Sequence, residues 1–285
     1  MRSGVGEIAV FSRADLIAGG LTSWKIDREV RAGRLVRLRR DHYVVDSTDA
    51  VDRAVRIGAR LSCVSLLAFF GVFVFDASDL HVQVGRLASR LRAADDRFRS
   101  WVRSEGERAG VRLHWHDLHE IPPARHVVAV VDAVRTAIIC QTPRHAVATL
   151  DSALHRGVVT MAELSDVFAT LPDRYRVLLS LVDGRCESGP ETLVRLMLRR
   201  IGAEVRVQRR IDGVGRVDFL VDGWLIIECD SRAFHDGWEQ ARRDRARDIA
   251  AARRGFTTVR PVAEDILYRP EQVHADLAAI LATRR

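Results

Sequence analysis

The sequence predicts a mixed α/β (α+β) protein of more than one domain, on three observations. Its 285 residues exceed what a single small core usually organises. Hydrophobic residues make up 47% and charged residues 29%, the balance of a chain that folds around real cores. The pattern also changes along the chain: two short helices and a basic hairpin, then a mixed stretch, then helix, three strands, arginine-rich helix, strand and final helix. The expected domains are 1–50, 51–185 and 186–285.

In the first region Ser12 can cap a short helix through Ala18, which Gly19-Gly20 end. Thr22 or Ser23 caps a second helix over 24–32, stopped by Gly33. Lys25, Arg28 and Arg31 recur every three residues and share a face, with Trp24, Ile26 and Val30 expected inward. Residues 35–40 and 43–45 then form a hairpin around Asp41-His42 that carries Arg37, Arg39 and Arg40.

The middle region predicts an apolar helix near 61–70, strands near 80–84 and 111–115, and helices from about 127. Residues 61–75, the longest uncharged stretch, fall short of the roughly 18–20 residues a membrane span needs and read as a buried helix and strand. No secretory signal is visible in residues 1–11. The expected location is therefore cytoplasmic, at the nucleoid, with no membrane partner. His114, His116 and His119, near Asp117 and Glu120, invite a metal reading, but solvated strand-end histidines are the expectation. Cys63, Cys140, Cys186 and Cys229 are scattered singly, so reduced cysteines free of metal are expected.

The last region opens on a helix over 190–201 with Ser188 as cap, Pro190 in its first turn and Glu191 three residues after the cap. Val194, Leu198 and Ile201 would face inward, with Glu191 at the edge of that face. Strands follow at 204–208, 216–221 and 224–230. Asp218 lies inside the second, and Glu228 and Asp230 lie in the third. Carboxylates in apolar strands cost several kcal/mol unless paired, protonated or bound to a cation. Register sharpens the point. A two-residue turn at Asp222-Gly223 would put Asp218 and Glu228 on opposite faces, whereas a three-residue loop of Asp222, Gly223 and Trp224 pairs Val221 with Leu225 and Asp218 with Glu228. The longer loop, or an equivalent bulge, is the expectation.

The net charge of +7 and a pI near 10.0 favour a polyanion partner. Lys25 is the single lysine; every other basic side chain is arginine, which grips phosphate through a planar fork, although genome composition can produce the same bias.

These residues resemble two families. Gly20, Ile26, Val30, Gly33, Leu35, Leu38 and Tyr43 resemble the N-terminal winged helix of abortive-infection (type IV) antitoxin-like proteins. That resemblance implies a helix bearing Lys25, Arg28 and Arg31 in the major groove, with Arg37, Arg39 and Arg40 on phosphates. Glu191, Val217-Asp218-Phe219, Ile227-Glu228-Cys229-Asp230, Phe234-His235, Arg247-Asp248, Gly255-Phe256 and Val259-Arg260 resemble the PD-(D/E)xK, restriction-endonuclease-like group, and within it the very-short-patch-repair nucleases. This implies an α/β/α domain with Asp218 and Glu228 as ligands of Mg²⁺ or Mn²⁺ and Glu191 as a further acid. Asp230 stands where that group usually has lysine, so it could ligate metal, or His235 could take the proton. Arg242 and Arg243 would neutralise phosphates, and the motif favours a catalytic part for Arg247.

The function expected is DNA binding with metal-dependent endonuclease activity on phosphodiester bonds. The alternative is a non-catalytic DNA-binding transcriptional regulator or antitoxin-like protein that retains the nuclease fold. DNA is the expected partner; a homodimer and an unidentified protein partner are compatible with either reading.

Overall fold

The fold was taken from a computed structural model, which describes residues 10–45, 48–101, 110–229 and 238–284. The chain is mixed α and β with several small sheets. It divides into two compact units, residues 1–140 with 158–171, and residues 141–157 with 172–285. The expected middle region therefore contributes to both.

In the first unit, the Ser12 hydroxyl accepts from Asp15 N and the Asp15 carboxylate accepts from Ser12 N, a reciprocal cap that starts α1 (Arg13–Ala18). Thr22 caps α2 (Ser23–Arg31). Leu16, Ile26, Leu35 and Tyr43 form a small core that includes the hairpin β1 (Val36–Arg39) and β2 (His42–Val44). Trp24 departs from expectation and is 62% exposed. It lies two residues from the buried Ile26, about 200° around the helix, so one face cannot bury both. Its ring instead carries the Arg28 guanidinium at 5.0 Å.

Helix α3 (Asp49–Ile57) ends at Gly58, whose φ of 90° suits a left-handed cap. The absence of a side chain matters here too: a Cβ would lie 1.5 Å from the Arg39 Nη1. Arg39 uses that space to donate to the Ile57 and Arg90 carbonyls at 3.0 and 3.1 Å. Next come β3 (Arg60–Leu61) and α4 (Cys63–Phe69). Within 61–75 the helix forms, and the accompanying strand is the short β3, which ends at Leu61 before the helix begins. β4 (Leu80–Val84) pairs antiparallel with β3 and parallel with β5 (Val111–Trp115). All five β4 residues are buried, as a central strand requires. Helix α5 (Val130–Cys140) packs on α4. The chain then leaves for α6 (Pro143–His155) and returns for α7 (Met161–Ala169).

The second unit combines α6, α8 (Asp173–Leu179) and α9 (Gly189–Ile201) with a four-stranded sheet. Asp151 of α6 is 1% exposed and accepts from Asp183 N at 2.6 Å, Thr192 Oγ1 at 2.8 Å and Arg195 Nη2 at 2.8 Å. This network fixes α9 against α6. Val194 and Leu198 are fully buried, and Ile201 only partly.

The sheet order is β6 (Val205–Ile211), β7 (Gly215–Val221), β8 (Leu225–Ile227), β9 (Thr257–Val259), antiparallel except for β8–β9. Three successive β7 residues, Phe219, Leu220 and Val221, are buried, so both faces of that strand are covered. Ala251 of α10 (Trp238–Ala252) packs with Val214, Val217, Leu220 and Ile226. Helices α11 (Ala263–Tyr268) and α12 (Pro270–Ala282) pack on α9. No helix among the described residues is long and apolar enough to cross a membrane.

Candidate functional site

Three of the four expected acids stand near one another where α9 approaches the sheet, Glu191 and Asp218 joined through Gln208 and Glu228 held by arginines. Among the described residues their oxygens do not converge into a group that could hold a metal ion. Ser188 caps α9, its hydroxyl accepting from Glu191 N at 3.3 Å. The Glu191 carboxylate, 5% exposed, does not reach back to the Ser188 N–H in a reciprocal cap. It accepts instead from Glu187 N and from Gln208 Nε2, both at 2.9 Å. Gln208 stands on β6 between residues whose pairings, Val207 with Phe219 and Arg209 with Val217, set it opposite Asp218. Its amide donates to Asp218 Oδ1 at 3.3 Å, linking the two acids. Its backbone φ is 51°, a left-handed state inside a strand that costs roughly 1–3 kcal/mol. Its Oε1 is buried without a partner.

The β7–β8 register pairs Val221 with Leu225, Leu220 with Ile226 and Phe219 with Ile227. This is the register of the three-residue loop, with Asp222 and Gly223 both left-handed at φ 48° and 75°. The next position out is Asp218 against Glu228. Strand β8 is shorter than expected and Glu228 lies just past its end, though Glu228 N still donates to Val259 O at 3.1 Å. Asp218 Oδ2 accepts from Cys229 N at 2.8 Å. Burial pushes the Asp218 carboxyl up to about 6; the nearby Glu191 and Glu228 add to this, against the donors Cys229 N and Gln208.

Glu228 is clamped by two arginines. Arg247 Nη2 reaches Oε1 at 2.7 Å, and Arg260 Nη2 reaches Oε2 at 2.9 Å. Arg247 also donates to the Val214 and Arg216 carbonyls, and Arg260 to Asp248 at 2.5 and 2.7 Å. Asp248 foremost, with Glu228, holds the Arg260 guanidinium above its usual range. Asp230 and His235 lie outside the described residues. Gln208 was not foreseen from the sequence, and Arg260 entered only as part of the nuclease-like resemblance, with no role assigned to it. A neutral amide in an arginine-rich strand gives no local signal, whereas the pairing of Arg260 with Glu228 could have been sought once β8–β9 pairing was assumed.

The first unit contains a second constellation, which the expectation of metal-free cysteines and solvated histidines did not foresee. Cys63, His81, His114 and Cys140 bring their ligand atoms within 4.8 Å of one another, a group able to hold a metal ion. One residue comes from each of α4, β4, β5 and α5. Single spacing along the sequence hid it. His116 is not a member: its Nε2 lies 3.1 Å from Thr136 Oγ1 and its Nδ1 3.0 Å from Asp117 O. His119 and Glu120 use their backbone N–H groups, which donate to the buried Asp132 at 3.0 Å each.

No family model matches this chain. It is similar to an uncharacterized protein of Mycobacterium tuberculosis strain CDC 1551 / Oshkosh and to its counterpart in strain ATCC 25618 / H37Rv. Each is 27% identical over 282 residues, covering 93% of this chain and 99% of the relative. The likeness thus reaches into both units.

Of the expected nucleic-acid contacts, Lys25, Arg28 and Arg31 are exposed on α2, and Arg37 and Arg40 are exposed on the hairpin. Arg28 shares its guanidinium with Glu29 at 3.3 Å, and Arg37 lies 5.9 Å from the Tyr43 ring. Arg39 differs. It is half-buried and committed to two carbonyls, which makes it a structural bridge between the hairpin and the rest of its unit. Arg242 and Arg243 are exposed on α10.

Proposed function

We propose that this protein is a metal-dependent DNA endonuclease, with an N-terminal winged helix for duplex binding and a restriction-endonuclease-like second unit for phosphodiester hydrolysis. The observation that carries this reading is the β7–β8 register, whose continuation by one position sets Asp218 opposite Glu228, while Gln208 links Asp218 to Glu191. Burial first, and then the neighbouring Glu191 and Glu228, raise Asp218 to about 6, and a cation would favour its ionised state. The donors are hard oxygens, which fit Mg²⁺ or Mn²⁺.

Asp218, Glu228 and Glu191 would hold the ion, joined by Asp230 if the resemblance extends that far. When bound, such an ion acidifies water and steadies a leaving oxygen. The chain's own groups do the rest. Gln208 orients two of the acids, and Arg247 and Arg260 supply positive charge beside the third, available to a phosphate if Glu228 turns towards a metal. With no lysine in this unit, a proton acceptor would have to be His235, Asp230 or a water. Lys25, Arg28, Arg31 and Arg40, with Arg242 and Arg243, offer the phosphate contacts.

One observation favours the alternative of a non-catalytic DNA-binding regulator: the carboxylate of Glu228 is already satisfied by two arginines, as in a structural ion-pair network. The two readings separate by cleavage of supercoiled and linear DNA with Mn²⁺ or Mg²⁺. The nuclease reading expects metal-dependent nicking that Asp218→Ala and Glu228→Ala each lower by more than about 100-fold while DNA binding persists. Tight, salt-sensitive binding without cleavage of any substrate, unchanged in both variants, would establish the regulator instead.

A further inference from the structure

We propose that Cys63, His81, His114 and Cys140 form a tetrahedral Zn²⁺ site that ties α4 and α5 to the β4–β5 pair. It is separate from the acid cluster and does not depend on nuclease activity.

The argument begins with topology. Parallel pairing sets His81 opposite Arg112 and Gln83 opposite His114, so His81 and His114 are diagonal neighbours on one face of the sheet. Cys63 is the first residue of α4 and Cys140 the last of α5, and these helices pack on each other. Four elements thus deliver one soft or borderline donor each.

The distances fit zinc. His81 Nδ1 and His114 Nε2 lie 3.1 Å apart, and Cys140 Sγ lies 3.7 Å from His81 Nδ1. In a tetrahedron with Zn–N near 2.0–2.1 Å and Zn–S near 2.3 Å, the N–N edge is about 3.3 Å, the N–S edge about 3.6 Å and the S–S edge about 3.8 Å. All the ligand atoms fall within 4.8 Å of one another, so small side-chain adjustments suffice.

Two further features point the same way. Cys63 has a φ of 52° and no exposure, so a β-carbon residue occupies a left-handed backbone state at the point where its sulfur joins the cluster. Arg112 Nη1 stands 3.7 Å from Cys140 Sγ, placed as an outer donor to a metal-bound thiolate, and its other nitrogen reaches Asp79 at 3.7 Å. Binding would release the thiol protons of Cys63 and Cys140 to solvent and leave a neutral site of two thiolates, two imidazoles and one Zn²⁺. A set of two sulfurs and two nitrogens selects zinc over the Mg²⁺ or Mn²⁺ suited to carboxylates. With all four positions filled by protein the role is structural.

The test uses the full chain, purified without chelators and analysed for metals by mass spectrometry. About one zinc per chain is expected, and after stripping the chain should bind Co²⁺ with the visible bands of a tetrahedral thiolate complex. Cys140→Ser and His114→Gln should each weaken zinc binding by at least about 100-fold, while His116→Gln should retain it. Because a ligand variant can fail to fold, the wild type carries the decision on its own. Absence of zinc together with no saturable Co²⁺ spectrum would overturn the site. So would zinc retained in full by the Cys140→Ser/His114→Gln double variant, or a Cys63–Cys140 disulfide found by peptide mapping of the unreduced chain.

Discussion

Replacing Asp218 by Asn should stabilise the second unit near pH 8 and bring no gain near pH 4.5. The wild-type carboxyl is raised from 3.8 to about 6, by burial first and then by Glu191 and Glu228. At about 1.4 kcal/mol for each factor of ten in acidity, ionising it in the folded state costs up to roughly 3 kcal/mol. Asn removes that cost but weakens the acceptors offered to Cys229 N and Gln208, worth about 1 kcal/mol each. A net gain of about 1 kcal/mol remains. The sign follows from linkage. A folded-state value above the unfolded one gives stability that is fully present below about pH 4 and lost as pH rises through about 6, so the wild type weakens over that window and the variant does not. Urea titrations in EDTA at both pH values, read by hydrogen exchange of β7 and β8 peptides, measure the difference. Added Mg²⁺ should then stabilise the wild type near pH 8 more than the variant, because a cation favours the ionised carboxyl. An equal effect of the substitution at both pH values would refute the argument.

Two other substitutions test the frame around the sites. Asp151→Ala leaves Arg195, itself 8% exposed, beside two unpaired donors, and should cost about 3–5 kcal/mol, against about 1–3 for Asp151→Asn, by urea midpoint. Arg39→Ala loses two charged hydrogen bonds to carbonyls and should destabilise the first unit by about 1–3 kcal/mol, whereas the exposed Arg40→Ala should stay within about 0.5 kcal/mol by thermal melting.

Local chemistry was legible in the sequence. The Ser12, Thr22 and Ser188 caps act over three residues, and the demand that Asp218 and Glu228 share a face selected the Asp222-Gly223-Trp224 loop seen in the register. What escaped was set by tertiary pairing. Cys63, His81, His114 and Cys140 are tens of residues apart, each looks ordinary on its own element, and only the parallel β4–β5 pairing and the α4–α5 packing bring them together. The inward reading of Trp24 fails because Trp24 and Ile26 lie about 200° apart on α2 and only Ile26 faces the core. The partners of Glu228 required knowing that β9 lies beside β8, which places Arg260 next to it.

The path of the chain has a consequence for synthesis. Residues 141–157 belong with 172–285, so α6 leaves the ribosome well before α9 and the sheet that complete its surroundings. Until then the Asp151 carboxylate has no Thr192 or Arg195 to meet, and the apolar residues around it have no lasting cover. The second unit therefore closes late, after nearly the whole chain has been made. A shortened chain beginning at residue 186 would start without the helix on which α9 is seated, and should collect in aggregates rather than as a folded nuclease-like fragment.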